Sequence, residues 1–309
     1  MLVAFLGNDR WSVPSLEALA ASAHQVVLVA TRVPRPAGRG GTPRPTPVAE
    51  AARRLALPLS EIETVKEGPG FEALGGAAPD VLVVVAYGEI LPPHVLDLPR
   101  VAPVNVHFSL LPTLRGADPV RRAILQGLDA TGVTTIHMDD GLDTGRILLQ
   151  AEEPIRDEDD AGTLGDRLAA LGARVLVETL DRLPGGDLVA RPQDHELATL
   201  APKLKPEEEW IDWSEDSAAV RRRVRALAPN PGARTRFRGR ILKVLRVSDV
   251  AGSGEPGTLL DLVGGQPVVA AGSGAVALER VIPEGRKPMG GADFARGYRP
   301  EPGERLGWT

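Results

Sequence analysis

The chain has 309 residues, which is enough for two domains with separate hydrophobic cores. Its composition, 43% hydrophobic and 25% charged, is that of a folded protein and excludes a disordered one. The sequence contains no cysteine, which excludes disulfide bonds, thiolate catalysis and cysteine-based metal sites. The formal net charge of −5 gives no overall indication of nucleic-acid binding, although an average can conceal a local basic patch.

The amino terminus and the hydropathy pattern predict a cytoplasmic protein. The opening residues, MLVAFLGNDRW, have no basic stretch before their short apolar run, so we predict a first strand and not a signal peptide. No apolar run approaches the roughly 20 residues that a membrane helix needs. We therefore expect no membrane association, and we expect a monomer.

The beginning of the chain predicts a βαβ unit. Leu2–Leu6 reads as a buried strand closed by Gly7, and Ser12 can cap a helix that has Pro14 in its first turn. Gln25–Ala30 reads as a second strand. A strand, a helix and a strand within about 30 residues indicate a parallel sheet. The first turn lacks G-x-G-x-x-G, which disfavours a dinucleotide cofactor.

An arginine-rich segment, residues 31–47 (TRVPRPAGRGGTPRPTP), follows the second strand. It contains four arginines, no acidic residue, and several prolines and glycines, so we expect a loop without regular structure. Loops of this length are usually functional or disordered, and the positive charge suits a partner rich in phosphate. On composition alone, a solvated insertion without a function is an equal alternative.

From residue 48 to residue 183 the pattern continues to alternate helices and strands, as in an α/β fold. Val81–Ala86 is the clearest strand, because a continuous β-branched run is typical of a strand that is buried on both faces. Val101–Gly116 runs from an apolar strand into a loop that is bounded by proline and glycine. The other predicted elements are helices at 48–55, 117–126 and 162–183 and strands at 132–138 and 147–150.

Asn105 and His107 lie two residues apart where this strand ends. Side chains alternate along a strand, so we expect both to face the same pocket. In an open α/β sheet, ligands bind in the crevice beyond the carboxyl ends of the strands. Taken alone, such a histidine, or an aspartate in a turn such as Asp143-Thr144-Gly145, is more often structural than catalytic.

Three motifs in this order resemble the formyltransferases that use 10-formyltetrahydrofolate. They are NVH-x-SLLP from Asn105, RGADP from Arg115 and MDDGLDTG from Met138. The resemblance implies a catalytic set of Asn105, His107 and Asp143. The folate-binding residues that it implies are Tyr87, Ile90, Leu91, Ser109, Leu110, Leu111, Pro112, Asp139, Asp140 and Gly141.

The chemistry expected of this set is acyl transfer to an amine. Asn105 and protonated His107 would donate hydrogen bonds to the formyl oxygen, on which negative charge develops. Asp143 would favour the imidazolium and order a water that carries a proton. Such a reaction needs neither a serine nucleophile nor a metal.

The resemblance covers nearly the whole chain and is to the methionyl-tRNA formyltransferases in particular. The sequence RPAGRG, residues 35–40, resembles the loop by which that family contacts the acceptor end of the tRNA. KLKPEEEWIDW, residues 203–213, resembles the stretch that precedes its second domain. The sequence departs from the family pattern at Asn8-Asp9, where Thr-Pro is common, at residues 41–44, where lysines are common, and at Phe108, where glycine is usual.

The carboxyl-terminal part of the chain is different in character. After a boundary at residues 184–194 and a helix at 214–228, short strands alternate with glycines, and the second domain of the family resembles an OB-fold. Residues 217–246 contain ten arginines and lysines and no acidic residue, which favours binding of a polyanion. Aromatic residues are few, so the backbone of a folded duplex is a better ligand than a single strand.

We therefore predict an α/β fold, a doubly wound, mostly parallel, Rossmann-like sheet, followed by a small OB-like β-barrel. The predicted domains are a catalytic domain at 1–188 with the basic loop 31–47, a linker at 189–206, and a tRNA-binding domain at 207–309. The predicted tRNA-binding residues are Arg35, Arg39, Arg44, Arg221, Arg222, Arg225, Arg236 and Arg238.

The resemblance implies that the chain formylates initiator Met-tRNA for translation initiation and releases tetrahydrofolate. Alternatives with the same chemistry are a formyltransferase for an amino sugar nucleotide and a formyltetrahydrofolate hydrolase. Glycinamide ribonucleotide formyltransferases lack the second domain. A folate- or RNA-binding protein without catalysis is the alternative from another class, and the joint presence of Asn105, His107 and Asp143 argues against it.

Overall fold

The computed structural model describes residues 1–37, 41–185 and 188–307. The α-helices are α1 (Val13–Ala20), α2 (Pro47–Arg54), α3 (Gly68–Gly76), α4 (Pro93–Leu96), α5 (Pro119–Leu125), α6 (Ala161–Arg182), α7 (Ser217–Leu227) and α8 (Gly291–Tyr298). The first nine strands are β1 (Leu2–Gly7), β2 (Gln25–Arg32), β3 (Arg35–Ala37), β4 (Thr42–Arg44), β5 (Leu59–Ile62), β6 (Val81–Val85), β7 (Ala102–His107), β8 (Ala130–His137) and β9 (Arg146–Pro154). The others are β10 (Ala233–Phe237), β11 (Arg240–Val250), β12 (Leu259–Val263), β13 (Gln266–Ala270), β14 (Ala275–Pro283), β15 (Met289–Gly290) and β16 (Leu306–Gly307).

The chain divides into two compact units, and each unit is assembled from three segments that are not contiguous in the sequence. Unit 1 comprises Met1–Pro119, Ala130–Pro154 and Gly165–Pro202. Unit 2 comprises residues 120–129, residues 155–164 and the chain from Lys203 onward. Residues 189–202, which belong to the expected linker, therefore pack within unit 1.

Unit 1 is built on a seven-stranded sheet in the order β5-β2-β1-β6-β7-β8-β9. The first five strands in this order, β5, β2, β1, β6 and β7, are parallel to one another. The last two, β8 and β9, are antiparallel to their neighbours. All five residues of β6 are buried, as the continuous β-branched run predicted. The predicted α/β fold with a mostly parallel sheet is confirmed.

Asn8 joins three strand ends at the carboxyl edge of this sheet. Its Oδ1 accepts hydrogen bonds from Thr31 Oγ1 and from the backbone amide of Arg32, both at 2.9 Å. Its Nδ2 donates to the backbone carbonyl of Tyr87, which follows β6. The departure from the family pattern at this position therefore has a structural role, since one amide supplies the donor and the acceptor that link β1, β2 and β6.

Phe108, which replaces the usual glycine, faces away from the polar side of β7. Its side chain is buried, and its ring meets the ring of Trp11 edge to face, with centroids 6.3 Å apart. A Cβ atom at Gly172 of α6 would lie 3.3 Å from Phe108 Cε1, so the small residue in α6 gives the ring its space. Phe108 is not among the residues with positive φ, so this backbone position does not require glycine.

The arginine-rich segment contains a short β-ribbon, so the expectation of no regular structure was wrong. β3 and β4 pair antiparallel, with Arg35 opposite Arg44 and Ala37 opposite Thr42. Pro36 and Pro43 face each other, and a pair without amide hydrogens fits the non-hydrogen-bonded position of such a ladder.

Unit 2 is an antiparallel sheet that curls toward a barrel. Its strand order is β12-β13-β14-β11-β10-β16, with β15 paired to β14. The backbone amide of Leu259 donates to the carbonyl of Glu304 at 2.8 Å, which brings the two edge strands together. The core includes Trp213, Phe237 and Phe294. The expected OB-like β-barrel is confirmed as a curled antiparallel sheet.

The described part of the chain has no helix that combines the length and the apolar character needed to cross a bilayer.

Candidate active site

His107 ends β7 and is held by the loop that follows it. Its side chain is 6% exposed, and its Nε2 lies 2.9 Å from the backbone carbonyl oxygen of Leu114. Because a carbonyl oxygen only accepts, Nε2 carries the hydrogen of this bond. Nδ1 is thereby directed toward Asp143, whose Oδ2 lies 3.5 Å away.

Asp143 is brought to the same face of β7 by the loop between β8 and β9. Its Oδ1 accepts from Asn105 Nδ2 at 3.2 Å, and its Oδ2 accepts from the backbone amide of Gly116 at 2.9 Å. The residue has a φ of 53°, in the left-handed region that aspartate tolerates better than most residues. Asn105 and His107 share one face, as strand alternation predicted, and both meet this carboxylate.

Two polar groups of this set are not engaged in short hydrogen bonds. The 3.5 Å between His107 Nδ1 and Asp143 Oδ2 exceeds the usual 2.7–3.2 Å of a hydrogen bond. Asn105 uses one of its two amide hydrogens on Asp143, so the second is available to a ligand. The site therefore offers one free amide donor beside one carboxylate, with His107 Nδ1 next to them.

The loop after β7 is fixed by a segment from much later in the sequence. The backbone amide of Arg115 donates to the carbonyl of Thr199 at 2.8 Å, and the amide of Ala201 donates to the carbonyl of Arg115 at 2.7 Å. Gly116 has a φ of 124°, and a Cβ atom there would lie 2.8 Å from the carbonyl oxygen of Ala201. Glycine is thus required at the residue whose amide orients Asp143.

Only part of the expected folate loop after β6 is exposed. Ile90 is 68% exposed, whereas Tyr87 and Leu91 lie in the hydrophobic core. Burial raises the pKa of the Tyr87 phenol to about 12. The loop is fixed from the side of β2, because Arg32 lies 3.5 Å from Glu89 and donates to the carbonyl of Gly88 at 3.2 Å.

The predicted folate residues 109–112 form a loop that is held by hydrogen bonds. Ser109 is fully buried, and its hydroxyl donates to the carbonyl of Thr113 at 2.6 Å. Thr134 Oγ1 donates to the carbonyl of Ser109 at 2.7 Å and accepts from the amide of Leu111 at 3.1 Å. Leu110 and Pro112 are partly exposed. The Ser109 hydroxyl is thus engaged within the loop.

Asp139 and Gly141 shape the turn that leads to Asp143. Asp139 Oδ1 accepts from Thr144 Oγ1 at 2.7 Å and from the amide of Gly141 at 3.1 Å. A cavity of about 410 Å³ next to this turn is lined by Asp139 and Asp140 together with His137, which is exposed.

The ribbon formed by β3 and β4 exposes two of the predicted tRNA-binding arginines. Arg35 lies 3.5 Å from Glu63, and both side chains are largely exposed. Arg44, directly across the ladder, has no acidic partner within the described residues. Arg39 lies outside the described residues.

Two predicted tRNA-binding arginines of α7 have partners inside unit 2. Arg221 Nε lies 2.9 Å from Asp249 Oδ2. Arg225 donates to the backbone carbonyls of Asp159 at 2.6 Å and Arg156 at 2.5 Å. Burial lowers the pKa of Arg225 from its ordinary value, although the group remains a cation near neutral pH.

The other three predicted arginines of unit 2 differ in their surroundings. Arg238 donates to both carboxylate oxygens of Glu304, at 2.7 and 2.9 Å. The guanidinium of Arg236 lies over the ring of Trp210, 5.4 Å from its centroid. Arg222 has no acidic partner in the part of unit 2 that the structure describes. The basic stretch is therefore only partly available to an external anion.

Some residues that build the site gave no signal in the sequence. Gln193 and Arg115 are both buried. Gln193 belongs to no motif, and Arg115 begins the RGADP motif without a role of its own in the resemblance. No group of acidic and histidine side chains suited to a metal ion is found among the described residues.

Comparisons with known proteins agree with this architecture. The formyl transferase family profile matches residues 1–180, and the profile of the formyl transferase C-terminal domain matches residues 203–299. A methionyl-tRNA formyltransferase from Koribacter versatilis is 45% identical over 309 residues, covering 99% of each chain. Another, from Thermus thermophilus, is 45% identical over 307 residues, again covering 99% of each chain.

Solved structures share the fold at low sequence identity. HypX from Aquifex aeolicus matches with a TM-score of 0.67 at 18% identity over 98% of this chain, which spans 48% of the length of HypX. An N-formyltransferase from Helicobacter canadensis, in complex with folinic acid and dTDP-3-aminofucose, matches with a TM-score of 0.66 at 16% identity, covering 90% of this chain and 99% of that one. By its two domains and its relatives at 45% identity, the chain belongs to the methionyl-tRNA formyltransferases within the formyl transferase family.

Proposed function

We propose that this chain transfers the formyl group of 10-formyltetrahydrofolate to the amino group of methionine on initiator Met-tRNA. One observation carries the proposal: Asn105, His107 and Asp143 converge on one face of β7. They do so in a chain that matches methionyl-tRNA formyltransferases along its whole length. The proposed step forms a carbon–nitrogen bond at the amine, breaks the bond between the formyl carbon and the folate nitrogen, passes the proton that the amine loses to that nitrogen, and releases tetrahydrofolate.

Asn105 and His107 would stabilise the negative charge that develops on the formyl oxygen. Asn105 has an amide hydrogen that Asp143 does not use, and the Nδ1 of a protonated His107 is a second donor. Donors aimed at a developing oxyanion typically contribute about 10²–10³-fold to the rate. The Leu114 carbonyl fixes the imidazole ring, so these donors are positioned before the substrate arrives.

Asp143 would accept the proton that the attacking amine loses, directly or through one water. Its two hydrogen bonds, from Asn105 and from the backbone of Gly116, set the direction of the carboxylate. A positioned acid or base of this kind usually contributes about 10²–10⁴-fold.

The residues around the site fit a folate. The folate supplies the formyl group when bound, and the chain offers exposed apolar side chains in the loops that follow β6 and β8. Ile90 is 68% exposed and Leu142 is 52% exposed. Asn8 and Arg32 hold the loop of Ile90 by hydrogen bonds, and a bond between Thr144 and Asp139 closes the turn of Leu142, so both side chains would present a preformed apolar surface to a flat ring.

We infer that the tRNA contacts the ribbon and the basic stretch of unit 2. Arg35 and Arg44 share one face of the ribbon, and Arg39 of the same loop is proposed with them. Arg222 is the strongest candidate in α7, because it has no acidic partner within the described residues. Arg221, Arg225, Arg236 and Arg238 are proposed as well, with their present partners competing with phosphate.

The decisive experiment is a substrate comparison. Purified protein and 10-formyltetrahydrofolate are incubated with initiator Met-tRNA, elongator Met-tRNA, glycinamide ribonucleotide or an amino sugar nucleotide. We expect the kcat/KM for formylation of initiator Met-tRNA to exceed the kcat/KM for each of the other acceptors by at least 10²-fold. Preferred transfer to an amino sugar nucleotide, or release of formate without transfer, would contradict the proposal.

We also propose that the protein is cytoplasmic, since the aminoacyl-tRNA that it would modify is used in the cytoplasm. We propose separately that it is a monomer. The proposed domain roles are a catalytic domain at 1–188, a linker at 189–206 whose residues 189–202 pack within unit 1, and a tRNA-binding domain at 207–309. Light scattering after size-exclusion chromatography tests the monomer, and a dimer at micromolar concentration would contradict it.

A further inference from the structure

We propose that Gln193 is a positioning residue that fixes the catalytic geometry of Asp143. The inference rests on the proposed function, because it concerns the same reaction. Gln193 belongs to residues 189–202, a segment whose sequence reads as part of a linker and whose residues pack within unit 1. Its side chain is 6% exposed.

The amide of Gln193 links two loops, each of which touches the catalytic set. Its Nε2 donates to the backbone carbonyls of Asp143 and Gly145, both at 2.7 Å. Its Oε1 accepts from Arg115 Nε at 3.0 Å and from the Nη2 of the same guanidinium at 2.7 Å. The side chain therefore makes four hydrogen bonds, two to each loop.

Chemistry fixes the orientation of this amide. The two carbonyl oxygens can only accept, and the guanidinium can only donate, so the nitrogen must face the first loop and the oxygen the second. The carboxylate of a glutamate, or an apolar side chain of the same length, cannot satisfy both sides. Position 193 thus has a chemical requirement that goes beyond filling space.

The second loop carries the groups that orient the catalytic side chains. Arg115 lies between Leu114, whose carbonyl holds His107, and Gly116, whose amide holds the carboxylate of Asp143. His195 Nδ1 lies 3.2 Å from another nitrogen of the Arg115 guanidinium and gives it a further acceptor.

Gln193 consequently acts on both ends of the hydrogen bond between Gly116 and Asp143. It holds the backbone of Asp143 on one side and the residue before Gly116 on the other. A misplacement of about 1 Å in an active site can cost about 10²-fold in rate. Loss of these bonds should therefore reduce the chemical step and leave tRNA binding nearly unchanged, since the tRNA contacts proposed above lie elsewhere.

The test compares Gln193→Met and Gln193→Glu with the wild type, in steady-state formylation of Met-tRNA by the full-length chain. Methionine keeps the volume and removes every hydrogen bond. Glutamate keeps an acceptor for Arg115 but directs a second oxygen at two carbonyl oxygens. We expect both variants to lose about 10–100-fold in kcat, with KM for Met-tRNA within about threefold of wild type.

Thr179→Val is the matched control for loss of stability. Thr179 is buried in unit 1, where its hydroxyl lies 2.8 Å from Thr135 Oγ1 and donates to the carbonyl of Val175 at 2.7 Å, away from the catalytic set. Its kcat should stay within about twofold of wild type even where its melting temperature falls as far as that of the Gln193 variants.

Three outcomes would overturn the inference: kcat within twofold of wild type in both Gln193 variants, an equal loss of kcat in Thr179→Val, or a rise in KM without a fall in kcat. If Gln193→Met does not fold, Gln193→Asn keeps the amide on a shorter stem, and unchanged kcat in that variant overturns it too. Inactivity of the wild type toward Met-tRNA would contradict the proposed function, which separates the two failures.

Discussion

Asp143→Asn is the substitution for which the geometry gives the most definite expectation. Both carboxylate oxygens face donors, Asn105 Nδ2 at 3.2 Å and the Gly116 amide at 2.9 Å. An asparagine must turn its own NH2 group toward one of them, so one hydrogen bond is replaced by two facing donors. The substitution also removes the carboxylate that would accept the proton of the amine. At 1.36 kcal/mol for each factor of ten, the usual 10²–10⁴-fold effect of a general base corresponds to about 2.7–5.4 kcal/mol.

We expect kcat for Met-tRNA formylation to fall about 10³-fold in Asp143→Asn, because loss of the base and a misdirected Asn105 act together. Binding of folinic acid, followed by fluorescence titration, should stay within about threefold of wild type. Asp166→Asn is the matched control, since it removes a carboxylate of unit 1 that is 59% exposed and pairs with Arg10. A kcat within tenfold of wild type in a folded Asp143→Asn protein would remove this carboxylate from the mechanism.

Four further expectations follow from the same structure. Asn105→Ala should lower kcat by about 10²–10³-fold in the formylation assay, the usual cost of losing an oxyanion donor. Phe108→Ala should lower the free energy of unfolding by about 3–5 kcal/mol in urea titrations, because the ring is buried against Trp11 and α6. Arg44→Ala should reduce the salt slope of tRNA binding by about one unit, measured by filter binding from 50 to 200 mM salt. The backbone amide of Leu2 donates to Asp80 and holds the pKa of that carboxyl below its usual range. The ionised Asp80 therefore stabilises the fold at any pH above its unfolded pKa of about 4. This stabilisation is lost as the pH falls through the lower pKa of the folded state. The Tm difference between wild type and Asp80→Asn should accordingly shrink as the pH is lowered below about 4.

The sequence predicted the parts of the site that depend on local pattern. The alternation of β7 determined that Asn105 and His107 share a face, and the hydrogen bond and the close approach to Asp143 agree with that expectation. The βαβ pattern predicted the parallel part of the sheet, and glycine-separated short strands predicted the curled sheet of unit 2. Asp143 was assigned from motif resemblance, since nothing in its turn alone distinguishes it from an ordinary capping aspartate.

Contacts between residues distant in the sequence could not be predicted in this way. Gln193 and Ala201 belong to a stretch without periodicity, and their importance becomes visible only where they meet the loops that carry Arg115 and Gly116. The sequence shows Asn8 only as a departure from a family pattern, because the carbonyl that its side chain binds is 79 residues away. The ribbon of β3 and β4 was missed because prolines and glycines usually indicate irregular structure.

Because Asp143 would take part in the reaction and Gln193 only positions it, we expect the effects of Asp143→Asn and Gln193→Met on kcat to be non-additive. Asp143 supplies the carboxylate, and Gln193 acts by holding the backbone of Asp143 on one side and Arg115, the residue before the Gly116 amide that orients the carboxylate, on the other. Residues that share one hydrogen-bond network are expected to be non-additive. Once Asp143→Asn has removed the base, misplacing its backbone can do little more harm, so the double variant with Gln193→Met should have nearly the kcat of Asp143→Asn alone. A double variant whose loss equals the product of the single losses would mean that Gln193 reaches the reaction by a route other than Asp143.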